Sequence, residues 1–317
     1  MLTVSNYHYI REEFKTPYPS IFGVTPEAFK KQLVACKEIG RYIHPRDLLL
    51  NSADIISSKN NYLIITFDDG LREQFELAKP ILDALEIPAL FFVNSINFID
   101  NEVSLVHKIH LLRSQIAPKE LIESFTASNL QTTIQLSNEE KRKAIVHYNF
   151  DGVESAHLKY ILNFKLTADQ QSKVINSLFE RYFDPNKVNR ELYMDEKHLI
   201  VLADQEMLGS HAHSHFPLGL LHKESIRDEL STTKNYLERL SNKVIDFVSY
   251  PYGSPEACAS PVQEIAESVG YKIGFTMERG INCGGEEDLL LKRFDCNDLP
   301  LGKNEKVFNN AYSFIYK

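Results

Sequence analysis

The segment Tyr62–Gly70, which reads YLIITFDDG, constrains the fold of this chain more than any other. Its apolar run is short, contains β-branched residues and ends at a glycine, a pattern typical of a buried strand in a parallel sheet. Asp68 and Asp69 stand where this strand ends, and parallel α/β folds place their chemistry at the carboxyl ends of strands. Because adjacent strand residues point to opposite sides, we expect one carboxylate to hold a metal and the other to move a proton. A plain Asp-Asp-Gly turn with a helix cap is the non-catalytic alternative.

A second segment, Gly209–Pro217, supplies imidazoles. It reads GSHAHSHFP, and a run of five residues in it contains three of the 11 histidines of the 317-residue chain. His211 and His215 are four residues apart, so one helical turn or a tight loop can aim both at one ion. Two neutral imidazoles and one carboxylate leave coordination positions open for water or substrate. This donor set therefore indicates a catalytic metal site.

Three segments together resemble the motifs of a known family. Thr66–Gly70 (TFDDG) and His211–His215 (HAHSH) resemble the first two motifs of the polysaccharide deacetylases, the NodB-homology enzymes of carbohydrate esterase family four, and Tyr250–Gly253 (YPYG) is similar to the third. The motifs follow the family order, and the resemblance covers roughly residues 1–100 and 190–300. It implies an α/β fold, a distorted and incomplete (β/α) barrel, and metal-dependent hydrolysis of the N-acyl group of an amino sugar.

The resemblance also implies a role for each motif residue. Asp69, His211 and His215 would hold a divalent ion, with zinc as the first expectation and cobalt, nickel or iron as alternatives that these ligands also suit. Asp68 would take a proton from the metal-bound water. The backbone N–H of Tyr252 would stabilise the oxyanion of the tetrahedral intermediate.

The general acid is expected at the N-terminus. The usual family pattern has a late histidine, but no histidine follows His222 in this chain. Some branches of the family are circularly permuted and carry this residue in an N-terminal Tyr-His segment, which Asn6–Tyr9 (NYHY) resembles. His8 would then protonate the leaving amine, because the first and last strands of a barrel are neighbours. The chain has no Trp for the fourth motif, and Asp295 or Asp298 is expected to fill part of that role by orienting His8.

The third motif also departs from the family pattern. It often begins with an arginine that contacts the catalytic aspartate, but Ser249 stands at that place. Arg293, on a later predicted strand, is the candidate substitute, and an ordinary strand-end arginine is the alternative. We group Arg293 with Tyr252 and His213 as residues at the substrate site, and His213 is expected to be a pocket wall or a donor to a neighbouring group.

The middle of the chain differs from both ends. We interpret residues 1–317 as a single catalytic domain with a helical insertion at about 101–192, because charged, leucine-rich segments with helical spacing dominate there. The insertion would cover the active site, form a dimer surface, bind a carrier on the substrate, or serve only as scaffold. Its histidines match no convincing metal motif beyond an i, i+3 pair and are expected to be solvated: His107, His110, His147 and His157.

Strand and helix patterns alternate outside the insertion, which favours a barrel over an antiparallel sandwich. The predicted strands, besides the one before Asp68, are Leu2–Ile10, Pro88–Val93, Ile245–Ser249, Tyr271–Thr276 and Leu289–Phe294. The predicted helices are one that opens at Thr25, Leu71–Leu85, Leu105–Ile116, Asn138–Tyr148, Ala168–Phe183, Met194–Ala203, Ser225–Leu240 and Val262–Val269.

Charge and cysteine content limit the expected kinds of partner and the expected cellular location. The formal charge of −8 and the lack of a basic cluster argue against nucleic acid as a partner. The four cysteines are scattered without metal spacing and are expected to be reduced thiols of a cytoplasmic protein. We expect no signal peptide and no transmembrane segment, because no apolar run reaches the necessary length.

These expectations favour an intracellular substrate. The predicted substrate is an N-acylated sugar that is nucleotide-linked or lipid-linked, or a lipopolysaccharide O-antigen or capsule intermediate. The alternatives are an N-deformylase of a formamido sugar, an amide hydrolase that acts on a non-sugar such as a ureide, and a non-catalytic glycan-binding barrel.

Overall fold

The structure is a computed structural model that describes residues 1–18, 20–149 and 151–315. The chain forms two compact units. The first consists of Met1–Glu13, Gly23–Glu102 and Asn189–Lys317, and the second of Phe14–Phe22 and Val103–Val188. Most of the second unit therefore lies within the region interpreted as an insertion.

A parallel sheet forms the centre of the first unit. Its strands are β1 (Leu2–Tyr7), β2 (Arg41–Tyr42), β3 (Tyr62–Phe67), β4 (Ala89–Val93), β5 (Leu208–Ser210), β6 (Phe247–Ser249), β7 (Ile273–Phe275) and β8 (Phe294–Asp295). The pairing order is β7-β6-β5-β4-β3-β1-β8, β2 also pairs with β3, and every pair is parallel. Because β7 and β8 are the ends of this order, the sheet is an incomplete barrel, and the predicted α/β fold class is confirmed.

Both faces of β3 are buried, which explains its continuous apolar sequence. Ile65 and Phe67 belong to one core cluster, in which the Phe67 and Phe91 rings stack with centroids 4.8 Å apart. Ile64 points to the other face and packs in a second cluster with Phe92. Because β3 pairs with β4 on one side and β1 on the other, its carboxyl end lies between the ends of these two strands.

Helices surround this sheet. In the first unit they are α1 (Pro26–Cys36), α2 (Pro45–Ser57), α3 (Lys79–Ala84), α4 (Ile96–Ile99), α12 (Glu196–Asp204), α13 (Lys223–Ser241), α14 (Val262–Val269) and α15 (Lys306–Ile315). The predicted opening of α1 is observed, since the Thr25 hydroxyl accepts the Ala28 N–H at 3.2 Å. A π-helical turn at Gln74–Ala78 precedes α3 within the helix predicted at Leu71–Leu85.

The second unit is helical. Its helices are α5 (Leu105–Gln115), α6 (Pro118–Phe125), α7 (Gln131–Ile134), α8 (Asn138–His147), α9 (Val153–Tyr160), α10 (Ala168–Tyr182) and the first part of α11 (Pro185–Leu192). Π-helical turns at Thr126–Leu130 and Ile161–Lys165 follow α6 and α9, and no strand occurs in the described part of this unit.

Two sequence-based predictions need correction. His107 is fully buried rather than solvated, because it lies with Ser114, seven residues later, on a buried face of α5. The strand predicted at Leu289–Phe294 is displaced: β8 comprises Phe294 and Asp295, and Leu291 forms only an isolated parallel bridge with Phe275. Among the described residues, no helix combines the length and apolar character needed to cross a membrane.

Leu33 provides a test of this core. It lies on α1 in the cluster that contains Phe67, and it is 0% exposed, whereas Leu50 on α2 is 66% exposed. We expect Leu33→Ala to lower the free energy of unfolding by about 2–5 kcal/mol through lost burial and a cavity. The matched change Leu50→Ala should stay within about 0.5 kcal/mol of wild type in urea unfolding. Equal losses for the two variants would contradict the observed burial.

Candidate active site

The polar residues singled out in the sequence meet at one edge of the sheet. Asp68 and Asp69 follow β3 directly, His211 follows β5, and His8 follows β1. Since all pairs are parallel, the carboxyl ends of these strands lie at the same edge. The loops at this edge form the candidate active site.

Asp69, His211 and His215 converge on a common point. The Asp69 Oδ1 atom is 3.2 Å from His215 Nε2 and 3.6 Å from His211 Nε2, and one ligand atom from each residue lies within 4.8 Å of the others. A tetrahedral zinc ion with bonds of about 2.0–2.1 Å separates its ligand atoms by about 3.3 Å. The donor set and its spacing therefore fit a single divalent ion.

The protein fixes which nitrogen of His211 faces this point. Its Nδ1 atom is 2.7 Å from the Ser249 carbonyl oxygen, which accepts a hydrogen bond, so Nε2 is directed toward Asp69. Burial lowers the pKa of His211 to about 4, which keeps the imidazole neutral near pH 7. A neutral ring with an available Nε2 lone pair is the form that binds metal.

The pKa of His215 shifts in the opposite direction to that of His211. Burial lowers its pKa, but the hydrogen bond and charge of Asp69 outweigh burial and leave the pKa above its ordinary value. The position between the two side chains thus attracts positive charge. A divalent cation would compete with a proton there, since metal binding to histidine displaces protons.

Four residues at the site have strained backbone conformations. Asp69, Ala212, His215 and Tyr252 have φ values of +80°, +57°, +59° and +63°, in the left-handed region that non-glycine residues rarely adopt. Each such residue costs on the order of 1 kcal/mol or more and persists only where its surroundings hold it. Such strain is typical of functional loops. Gly70 has φ +63°, and a Cβ there would lie 2.7 Å from Val93 Cγ1, so this position requires glycine.

Asp68 does not face the two histidines as Asp69 does, and its carboxylate is bound by Arg293. The Nη1 and Nη2 atoms of Arg293 donate to Asp68 Oδ1 and Oδ2 at 2.9 and 2.8 Å. The guanidinium also donates to Thr66 Oγ1 at 3.1 Å, Ser249 Oγ at 2.9 Å and the Thr276 carbonyl at 2.9 Å. Arg293 therefore makes the contact to the aspartate that was expected of a residue at position 249.

Arg293, which we grouped with the substrate-binding residues, lies in the protein interior. The residue is 0% exposed, and protein acceptors occupy the five N–H donors that a guanidinium offers. Arg293 therefore acts on the site only through Asp68 and Ser249.

The contacts of Asp68 keep it ionised. Burial is the largest single influence on the pKa of Asp68 and raises it. The charges of Arg293, His211 and His8 and the hydrogen bonds from Arg293 together lower the pKa by more than burial raises it, so it lies below its ordinary value. Asn6 Nδ2 also donates to Asp68 Oδ2 at 2.9 Å. The carboxylate is thus charged and held in one orientation.

His8 lies beside the carboxylates, as its position after β1 requires. The Asp68 N–H donates to the Tyr7 carbonyl at 3.1 Å, so the next residue, His8, is adjacent to Asp68 across the strand pair. The two aspartates that were expected to orient His8 have other partners. Asp295 accepts from the Asn297 side chain and Asp298 from Arg279, and among the described residues neither carboxylate hydrogen-bonds His8.

Tyr252 lies beside the three converging residues, whereas the His213 ring contacts other groups. The Tyr252 ring is 52% exposed, and its centroid is 5.2 Å from that of His215. His213 points elsewhere: Nδ1 is 2.8 Å from Ser95 Oγ and Nε2 is 3.3 Å from Asp100 Oδ2. Both ring nitrogens of His213 thus lie close to protein groups, which fits the expected role as a donor to a neighbouring group.

Sequence reasoning missed Asn94 and Glu229. Asn94 follows β4 and donates to the carbonyls of His211 and Ala212, the latter at 3.3 Å. Its place at a strand end was a usable signal, because the neighbouring strand ends carry the other site residues. Glu229 contacts the histidine loop from α13, and its helical sequence context gives no sign of this.

Comparisons with known proteins agree with this geometry. The family model described as polysaccharide deacetylase matches residues 184–274, which contain the histidine and YPYG segments. No curated protein matches the sequence.

Solved structures share the fold. Deacetylase PplD of Streptococcus pyogenes is 17% identical with a TM-score of 0.50, and the match covers 93% of this chain and 91% of PplD. The BpsB deacetylase domain from Bordetella bronchiseptica is 14% identical with a TM-score of 0.53, and the match covers 93% of this chain and 95% of that domain. A de-N-acetylase from Aggregatibacter actinomycetemcomitans is 13% identical with a TM-score of 0.54, and the match covers 97% of this chain and 99% of the other. The resemblance to polysaccharide deacetylases and the incomplete barrel are thereby confirmed.

The buried pair of Arg293 and Asp68 can be tested through stability. Arg293→Met leaves a buried carboxylate without its cation, and we expect a loss of about 3–5 kcal/mol in the free energy of unfolding. Asp68→Asn in the same chain should restore part of this loss, as a double-mutant cycle in urea would measure.

The loss of stability in Arg293→Met should depend on pH in a defined direction. In wild type the pKa of Asp68 is depressed, so its stabilising contribution is present above about pH 3.9 and is lost as pH falls through the depressed value. In Arg293→Met the charge and hydrogen bonds of Arg293 are lost, so burial raises the pKa of Asp68 above its wild-type value. The stability difference between the two proteins should therefore shrink as pH falls below the raised pKa, and a difference independent of pH would refute the pairing.

Proposed function

We propose that this protein is a metal-dependent hydrolase that removes the N-acetyl group of an amino sugar in a glycan or glycan precursor. One observation carries the proposal: the adjacent residues Asp68 and Asp69 have opposite surroundings. Asp69 faces the two imidazoles of His211 and His215, whereas Asp68 is bound to Arg293. The matched family model and the shared fold support this reading.

The proposed metal ligands are Asp69, His211 and His215. A divalent ion bound there, zinc in the first instance, would lower the pKa of a water and polarise the acyl carbonyl. The side chains contribute one oxygen and two nitrogens, which leaves room for water and substrate. Cobalt, nickel and iron suit the same donors.

Asp68 is the proposed base. It is ionised, and Arg293 and Asn6 fix the direction of its oxygens. A carboxylate with so low a pKa is a weak base toward ordinary water. It becomes effective only toward a water that is already acidified beside it, so the adjacency of Asp68 to the proposed ligand Asp69 is essential to its role.

Tyr252 and His8 complete the proposal. The strained backbone at Tyr252 would present its N–H to the oxyanion, and its exposed ring would contact the sugar. His8 would protonate the nitrogen of the leaving amine, which cannot depart as an anion.

The direct test is acid release from a panel of N-acetylated and N-formylated sugars, free, polymeric, nucleotide-linked and lipid-linked, with zinc-loaded protein. We expect acetate from at least one member and a decrease in kcat of about 10²–10⁴-fold in Asp68→Asn with zinc retained. Formate release instead would make the protein a deformylase. No release from any member, or full activity of Asp68→Asn, would contradict the proposal.

His8 can be tested with a leaving-group control. His8→Ala should slow hydrolysis of the amide about 10²-fold or more, because the amine needs a proton. An acetate ester of a nitrophenol needs no such proton, so its hydrolysis should be almost unchanged. Equal losses on both substrates, or no loss on the amide, would remove His8 from the role of acid.

A further inference from the structure

Glu229 on α13 holds the loop that carries the two histidines. Its Oε2 atom accepts the N–H groups of His213 and Ser214 at 2.9 and 2.8 Å, and its Oε1 atom accepts the Ser214 hydroxyl at 2.5 Å. One side chain from a separate helix thus makes three hydrogen bonds to the two residues between Ala212 and His215. Bonds to a charged acceptor are among the stronger hydrogen bonds in proteins.

This loop needs external support. For both imidazoles to face Asp69, the chain adopts left-handed conformations at Ala212 and His215, with φ of +57° and +59°. These conformations cost free energy in non-glycine residues, so an unsupported loop would relax away from them. A relaxed loop would no longer place the nitrogens of His211 and His215 at 3.6 and 3.2 Å from Asp69 Oδ1.

The same helix supports the loop at a second point. Thr233 is four residues after Glu229, so both lie on one face of α13. The Thr233 hydroxyl is 2.7 Å from Ser95 Oγ, which is 2.8 Å from His213 Nδ1. Ile226 and Leu230 of α13 are fully buried, which anchors the helix in the core.

We propose that Glu229 is a positioning residue that sets the geometry of the His211 and His215 pair before the metal arrives. The inference rests on the proposed metal-dependent function. In the described part of the chain, the hydrogen bonds of Glu229 to the loop go to His213 and Ser214, so it acts on the two proposed ligands through the residues between them. Its loss should weaken metal binding, since groups that orient metal ligands typically account for 10–100-fold in affinity or activity.

The test compares Zn²⁺ affinity of metal-free proteins, measured by competition with a chelating indicator. We expect Glu229→Ala to weaken Zn²⁺ binding about 10–100-fold while far-UV circular dichroism is retained at the assay temperature. Glu229→Gln should recover most of this affinity, because its amide oxygen accepts the two N–H groups and its NH₂ donates to Ser214. Asp228→Ala, which removes an exposed neighbouring carboxylate of α13, should bind Zn²⁺ as wild type does.

The outcomes separate the inference from the proposed function. Equal Zn²⁺ affinity of wild type and Glu229→Ala, with only a lowered Tm, would overturn the positioning role and leave the proposed function intact. Affinity in Glu229→Gln as weak as in Glu229→Ala would also contradict it. A wild type without Zn²⁺ affinity would overturn the proposed function itself. Should Glu229→Ala not fold, Ser214→Ala removes one of the three bonds and should show a smaller loss of affinity, and an unchanged affinity there would overturn the inference.

Discussion

The buried ion pair between Arg293 and Asp68 is the contact on which the rest of the site depends. Burying two charges is costly unless each is paired and its remaining donors are satisfied, and Arg293 meets that condition completely. It precedes β8, yet it bonds the Thr276 carbonyl just after β7, at the other end of the strand order. It also bonds Ser249, whose carbonyl accepts from His211. One side chain thus contacts residues at or just after the ends of three strands and links the proposed base to a proposed metal ligand through Ser249.

The network separates two carboxylates that are neighbours in sequence. The Asp68 side chain is bound to Arg293, whereas Asp69, at φ +80°, faces His211 and His215. Each carboxylate has partners of its own: Arg293 and Asn6 bind Asp68, whereas His211 and His215 face Asp69. Proton transfer and metal binding are thereby assigned to different residues without competition for the same partners.

Much of the fold and part of the site are predictable from sequence because they depend on local patterns. The apolar segment before Asp68 predicts a central strand, and strand–helix alternation predicts the parallel sheet. Arg293 was only a candidate, because its pairing depends on the irregular chain at Leu289–Phe294, where a strand was wrongly predicted. Glu229 was missed and the burial of His107 was mispredicted, because each depends on which neighbour packs against one helix face.

The most direct measurement is zinc-edge anomalous scattering from crystals of the zinc-loaded protein. We expect one peak within about 2.0–2.2 Å of Asp69 Oδ1, His211 Nε2 and His215 Nε2, with the Asp68 carboxylate still bound to Arg293 and outside the coordination sphere. A peak bound to Asp68 in place of Asp69, or an ion bound away from these histidines, would contradict the division of roles between the two carboxylates.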